Sequence, residues 1–179
     1  MGRFITAKSR IEQVDVPGYW KTIDNELYLA NDNNLYLAPR YLWSDGYTFP
    51  GIVMMFLGDK QKFDVRAAHG HDLCCRFHQA IKVDLSLTVL KQKELLRIHN
   101  DKVVLEDIPL EYLEVIKVSK TWTDNLLKEM MIACNIPRKD INIIRAGVFF
   151  NFNWWLKTGK KDILDYDIYN EDIGLVNGV

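Results

Sequence analysis

The chain has 179 residues, 48% of them hydrophobic, and carries a net charge of -1 at pH 7. This length predicts one domain with a real core, and the apolar content excludes wholesale disorder, while the near-neutral charge argues against a specific nucleic-acid partner or an acidic membrane surface. Two of the three cysteines are adjacent and one is distant, which favours a reducing compartment over a disulfide framework, and no apolar run is long enough to span a membrane.

Two short β-prone runs, residues 25–30 and 35–39, lie on either side of the sequence NDNN at residues 31–34. Asn and Asp tolerate a left-handed backbone and hydrogen-bond to their own backbone, so they suit a tight turn. The pattern therefore predicts a β-hairpin.

The next polar segment is SDGYTFPG, residues 44–51. Asp45 and Gly46 form a tight-turn signal, and Pro50 favours an extended backbone just before it. We expect a loop whose turn aims the side chains of Ser44, Asp45 and Thr48. The apolar run GIVMMFLG that follows is either a strand or a buried helical turn.

Residues 63–81 have the spacing of a helix. Positions three and four apart share a helix face, so one face is predicted to carry a carboxylate, two imidazoles and a thiol. These side chains, with one alanine, are Asp64, Ala68, His71, Cys75 and His78. Asp72 is predicted to point elsewhere, nearer His69 and Arg76.

In the C-terminal half, residues 85–98 predict a strand followed by a helix, HNDKVV at 99–104 predicts a turn, and residues 110–120 predict a helix. The next helix is expected to begin with Thr123 as its N-cap and to end at Asn135–Pro137, and another is expected to start at Lys139. We expect the aromatic run FFNFNWW, residues 149–155, to pack in the core or at a subunit contact rather than to stack on bases.

The tail from residue 162 to residue 179 contains five acidic residues and no basic one. Its interleaved Ile, Leu and Tyr residues are typical of an arm that docks on a partner or folds back. We therefore predict a single α+β domain at residues 1–161, with an N-terminal antiparallel sheet or hairpin packed on several helices, and an extended acidic arm at residues 162–179.

One hypothesis for the polar residues is a metal site. His71, Cys75 and His78 are ligand types that suit zinc, with Asp45 or water as the fourth ligand. Their spacing matches no standard zinc signature, so we expect no metal and no other cofactor.

A second hypothesis is nucleophilic hydrolysis through a thiol. His71 or His78 would activate Cys74 or Cys75 as the thiolate. No sequence typical of a cysteine protease surrounds this pair.

A hydroxyl version of the same chemistry uses Thr48 as nucleophile and His71 as base, with Asp45 or Asp72 orienting the imidazole. Ser44 is a further option for the nucleophile. No nucleophile-elbow sequence is present.

The structural hypothesis, which we favour, is that the same residues lock a loop to a helix. A buried His and Asp on the helix would hydrogen-bond to the backbone and hydroxyls of SDGYTFPG, because buried polar groups need partners. Such a satisfied network would rigidify the fold.

With these residues described, the chain resembles a family of phage and prophage proteins catalogued as domain of unknown function 1353. The family pattern is a TDGASIP-type turn, a helix with an HD pair, a helix with an AD dipeptide and a last aromatic helix. SDGYTFPG resembles the turn and AAHGHDLCC the HD helix, with His71 and Asp72 as the pair, while TDNLLKEMMIACNIPRKDINIIRAGVFFNFNWW resembles the last two helices, with Asp124 as the acid. Here Thr48 replaces the family's serine and Thr123 its alanine, and the cysteine pair is extra.

The resemblance covers about residues 25–157 and implies a phage setting. We therefore expect a virion structural component of the neck or tail, made in the host cytoplasm, that oligomerises and contacts other phage structural proteins. The alternatives are a hydrolase of cell wall or peptide that uses Asp45, Thr48, His71 and Asp72, and a soluble phage-encoded protein that binds a host factor.

Overall fold

The computed structural model describes residues 2–8, 10–15, 19–44, 64–84, 96–99, 102–150, 152–170 and 172. In these residues antiparallel strands dominate the first half of the chain, and most of the helical residues follow in the second. The predicted α+β class, with an N-terminal antiparallel sheet packed on helices, is confirmed.

The described strands are β1 (Arg3–Phe4), β2 (Ile11–Gln13), β3 (Trp20–Thr22), β4 (Glu26–Leu29), β5 (Leu35–Ala38), β6 (Trp43–Ser44), β7 (Gln79–Val83), β8 (Leu96–His99), β9 (Lys102–Leu105) and β10 (Leu113–Lys117). The α-helices are α1 (Arg66–Phe77), α2 (Lys120–Ala133), α3 (Arg138–Phe150) and α4 (Phe152–Lys157). Short 3₁₀ helices span Leu110–Tyr112 and Ile163–Asp165.

The hairpin predicted around NDNN is confirmed as β4 and β5, which pair from Leu29 and Leu35 outward. The turn closes as the sequence suggested, because the Asp32 carboxylate accepts a hydrogen bond from the Asn34 amide at 3.0 Å and Asn33 has a φ of 63°. This hairpin lies at the centre of a sheet with the order β1-β4-β5-β7-β10.

Residues that alternate along the central strands belong to two buried clusters, as the period of a strand requires. Tyr28, Tyr36 and Ala80 pack with residues of α1, α2 and α3. Leu37 and Ile81 pack instead with residues that include the C-terminal segment. The sheet is thus covered by helices on one face and largely by loops and the tail on the other.

The predicted helix over residues 63–81 is too long at its C-terminal end. Helix α1 ends at Phe77 because His78 takes a left-handed conformation with φ of 53°. Residues 79–83 then pair as β7 with both β5 and β10.

Two further helix predictions are wrong where the structure describes them. Ile98 lies in β8, which pairs with β9. His99 and residues 102–104 of the predicted turn HNDKVV also lie in these strands, while residues 85–95 and 100–101 lie outside the described residues. The chain after Pro109 makes one 3₁₀ turn and then enters β10, which pairs with β7. In both places pairing with a strand outweighs a helical spacing of apolar residues.

Helix α2 begins earlier than predicted. Its N-cap is Ser119, whose hydroxyl accepts a hydrogen bond from the Trp122 amide at 3.2 Å, whereas Thr123 is fully buried inside the helix. The helix ends at Ala133 before Asn135, which has a φ of 57°, and α3 then starts at Arg138, close to the predicted positions.

In its described part the acidic arm folds back on the domain. Ile163 is fully buried, and its amide donates to the side-chain oxygen of Gln79 at 2.9 Å. The Tyr169 hydroxyl accepts from the Ile108 amide at 3.0 Å and donates to the Ile108 carbonyl at 2.9 Å. Residues 162–170 therefore complete the core on the face of the sheet opposite α2 and α3.

No helix in the described part of the chain has the length and apolar character needed to cross a membrane. The loop predicted at residues 45–51, the apolar run to residue 58 and the strand expected after residue 85 lie outside the described residues.

Candidate functional site

Three segments that are far apart in sequence bring polar side chains together at one place. These are the end of β6, the middle of α1 and the first turns of α2. We call the five residues that contact one another there the His71 cluster: Ser44, His71, Asp72, Cys75 and Asp124.

The first link of the His71 cluster joins β6 to α1. The Ser44 hydroxyl donates to Asp72 Oδ2 at 2.5 Å, and Ser44 is completely buried. Beside it, the Arg76 guanidinium donates to the Trp43 carbonyl at 2.6 Å. Ser44 is the first residue of SDGYTFPG, so the start of that segment is held directly against α1.

The second link joins α1 to α2 through His71. Its Nε2 lies 3.3 Å from Cys75 Sγ and 3.5 Å from Asp124 Oδ1, and its Nδ1 lies 3.8 Å from Asp72 Oδ1. Asp124 Oδ1 has no aligned hydrogen-bond donor among the described residues, so its contact with His71 is mainly electrostatic. Helix geometry had suggested that Asp72 points away from His71, but the two side chains are in contact.

These contacts decide the charge of the cluster. Burial by itself lowers the pKa of His71, but the contacts with Cys75, Asp124 and Asp72 outweigh burial and raise that pKa well above its ordinary value. Burial likewise raises the pKa of Asp124, but His71 and Lys120 more than reverse this and leave it below its ordinary value. The geometry therefore favours an imidazolium between carboxylates.

Lys120 is a member of this network that sequence reasoning missed. Its ammonium group donates to Asp124 Oδ2 at 2.7 Å and to the Val148 carbonyl at 3.3 Å. The signal was available, because a Lys and an Asp four residues apart on a helix are neighbours.

The two adjacent thiols differ in their surroundings. Both are free and buried, but only Cys75 contacts His71. Burial raises the pKa of the Cys74 thiol, which disfavours its thiolate and removes it as a candidate nucleophile. Of the two, Cys75 alone has the geometry of a Cys–His pair.

His78 belongs to a different contact from His71. Its ring stacks on Trp155 at 3.8 Å with an interplanar angle of 6°, and its Nε2 contacts the Trp155 carbonyl and the Thr158 hydroxyl. Where the structure describes the chain, no three His, Cys, Asp or Glu side chains are arranged to hold a metal. His71, Cys75 and His78 therefore do not converge as the zinc hypothesis required.

Asp45 and Thr48, the remaining predicted site residues, lie outside the described residues. Asp45 follows Ser44 directly in the chain, so only one peptide bond separates it from a residue of the His71 cluster. Asp124, which the family resemblance singled out, contacts His71.

Asp124 also lines a cavity of about 240 Å³ between α2 and α3. The other lining residues are Leu127, Arg145, Ala146 and Val148. The cavity thus has a carboxylate and a guanidinium on largely apolar walls.

A scan against protein-family models, a search of curated proteins and a search of solved structures each found no match to this chain.

Proposed function

We propose that this protein is a structural component of a phage particle, in its neck or tail, which acts by contacting other proteins of the particle. In this proposal the His71 cluster locks the fold and carries out no reaction. The observation that carries the proposal is the convergence of Ser44, the His71–Asp72 pair and Asp124, each from one of the three motifs on which the phage resemblance rests.

Burial of the cluster supports a structural role. The side chains of His71 and Asp72 are only 10% and 9% exposed, and each contacts another element of the fold. A catalytic base must reach its substrate, whereas a buried polar group that joins two elements needs only its partners.

Exposed apolar side chains offer surfaces for protein contacts. Leu156 and Leu164 are 63% and 70% exposed, and both lie in the C-terminal part of the chain after α3. Large apolar side chains that anchor an interface are buried when the partner binds. The partner we propose is another structural protein of the particle.

The proposal is tested by mass spectrometry of phage particles purified from cells that produce this chain. We expect the chain in the particles at a fixed ratio to the known capsid and tail proteins. Its presence in the infected cell but absence from the particles would contradict the proposal and favour a soluble protein that binds a host factor.

A hydrolase is a second candidate because of one contact, the 3.3 Å approach of Cys75 Sγ to His71 Nε2. In this alternative the proton of the Cys75 thiol resides on His71 as an imidazolium, which Asp72 and Asp124 orient, and the Cys75 thiolate attacks an acyl carbon of the substrate. The bond to the leaving group breaks as that group takes the proton from His71, and water then hydrolyses the thioester to release the acid and restore the thiol. Cys75 is 3% exposed, so the substrate would have to open a path to it.

The substitution Cys75→Ser separates this candidate from the structural one. A hydrolase would lose hydrolysis of peptide or cell-wall substrates and keep its stability. In the structural account no such hydrolysis is present in the wild-type protein, and Cys75→Ser changes only the stability.

A further inference from the structure

The cavity between α2 and α3 has a cationic side chain, Arg145, that has no partner among the described residues. Within the described part of the chain, the Arg145 guanidinium makes no hydrogen bond and no ion pair, although Arg145 is a half-buried residue that lines the cavity. An Arg guanidinium offers five donors in a planar fork, which fits the paired oxygens of a carboxylate or phosphate.

The carboxylate of Asp124 does not cancel this cationic group. Its Oδ2 is paired with Lys120 at 2.7 Å, and its Oδ1 lies 3.5 Å from His71. The charge of Asp124 is thus offset by Lys120 and His71, and among the described lining residues Arg145 is left with an unpaired charge.

The size and walls of the cavity suit a small organic anion. A volume of about 240 Å³ is several times what one water molecule needs, although it is below the usual range for drug-sized ligands. Leu127, Ala146 and Val148 provide apolar contacts for the carbon part of such a molecule.

We propose that this cavity binds a small anion carrying a carboxylate or phosphate group, with Arg145 as the residue that pairs with it. The ligand's oxygens accept hydrogen bonds from the guanidinium, and its apolar part lies against Leu127 and Val148. This site goes beyond the proposed function, because it requires neither catalysis by His71 nor assembly into a particle.

The proposal is tested by titrating the isotopically labelled full chain with succinate and, separately, with inorganic phosphate at constant ionic strength, and following amide chemical shifts. Arg145→Gln removes the cation, and Ala146→Phe fills the cavity from an exposed position of the same helix. Arg138→Gln is the matched control, because Arg138 is exposed on α3 and does not line the cavity.

We expect at least one of the two probes to give saturable shifts centred on the cavity residues. Arg145→Gln should weaken the binding at least about tenfold, as expected for loss of a hydrogen bond to a charged group. Ala146→Phe should weaken it by a similar factor because the ring occupies the cavity, and Arg138→Gln should leave it unchanged. Saturation by phosphate alone or by succinate alone identifies the anion class.

The proposal is overturned if neither probe saturates at tens of millimolar. It is also overturned if Arg138→Gln weakens binding as much as Arg145→Gln, because the anion would then be attracted only by the overall positive charge of α3 and not bound by Arg145. If Arg145→Gln does not fold, unchanged affinity in Ala146→Phe is sufficient to reject the site.

Discussion

Replacement of Ser44 by Ala removes the hydrogen bond from Ser44 to Asp72, which joins β6 to α1 beside the bond from Arg76 to the Trp43 carbonyl. The bond has an ionisable carboxylate as its acceptor and a length of 2.5 Å, and Ser44 is completely buried, so water does not replace the lost hydroxyl. A hydrogen bond to a charged group contributes about 1.5–3 kcal/mol, and the Asp72 oxygen left behind loses its donor. We expect the free energy of unfolding to fall by about 2–3 kcal/mol.

The assay is urea unfolding followed by circular dichroism, with a thermal melt as a second measurement. For a domain of this size the loss corresponds to a decrease in Tm of about 4–12 °C. Thr121→Ala is the matched control, because it removes a hydroxyl from an exposed position of α2 and should change stability by less than about 0.5 kcal/mol.

A double-mutant cycle with Asp72→Asn assigns the effect to the pair. We expect the two substitutions to be non-additive by at least about 1 kcal/mol, because each removes the same bond. A loss below about 0.5 kcal/mol in Ser44→Ala, or additive losses in the double variant, would refute a stabilising contribution of the Ser44–Asp72 bond.

Three more predictions concern other parts of the fold. Because the pKa of His71 is raised, its protonated form stabilises the protein fully below about pH 6.5, and this contribution is lost as the pH rises through the folded pKa. The urea midpoint, measured up to about pH 9, should therefore fall more steeply with pH in the wild type than in His71→Gln. Equal slopes in the two proteins would contradict this prediction. Ile163→Ala should cost about 2–5 kcal/mol because Ile163 is fully buried, whereas Leu164→Ala, at a position 70% exposed, should cost less than about 0.5 kcal/mol in the same denaturation assay; similar losses would show that the tail is not part of the core. Gly159→Ala should cost more than about 1 kcal/mol in thermal melts, because Gly159 has a φ of 74° and an added Cβ would collide with the ring of His78, and an unchanged Tm would contradict this contact.

The local features of the fold were the predictable ones. The hairpin at residues 31–34 follows from turn chemistry, because its hydrogen bonds join residues only two to four apart in the chain. The same holds for α3 and for the end of α2, where Asn135 and Pro137 signal the break.

The errors come from contacts between distant segments. Strand β10 has a helical spacing of apolar residues, but its pairing with β7 joins residues 30 to 38 positions apart in the chain. That pairing also explains why α1 ends at Phe77, because Gln79–Val83 form the strand β7. The spacing of apolar residues along the sequence does not show which strands pair with each other in the folded protein.

The candidate site was predicted in part. Helix spacing correctly placed His71 and Cys75 together, but it included His78, which leaves the helix and stacks on Trp155. The contact with Asp124 depends on how α1 packs against α2, and no helical period contains that information.

The most direct test of the structural role of the His71 cluster is the free energy of unfolding of His71→Ala, measured beside the wild type at pH 6. If the His71 cluster is structural, the free energy of unfolding should fall by about 1–3 kcal/mol in His71→Ala, because Asp124 and Asp72 lose their contacts with the imidazolium in a buried site. A variant as stable as the wild type would show that His71 does not hold α1 to α2, and the structural account of the cluster would then be wrong.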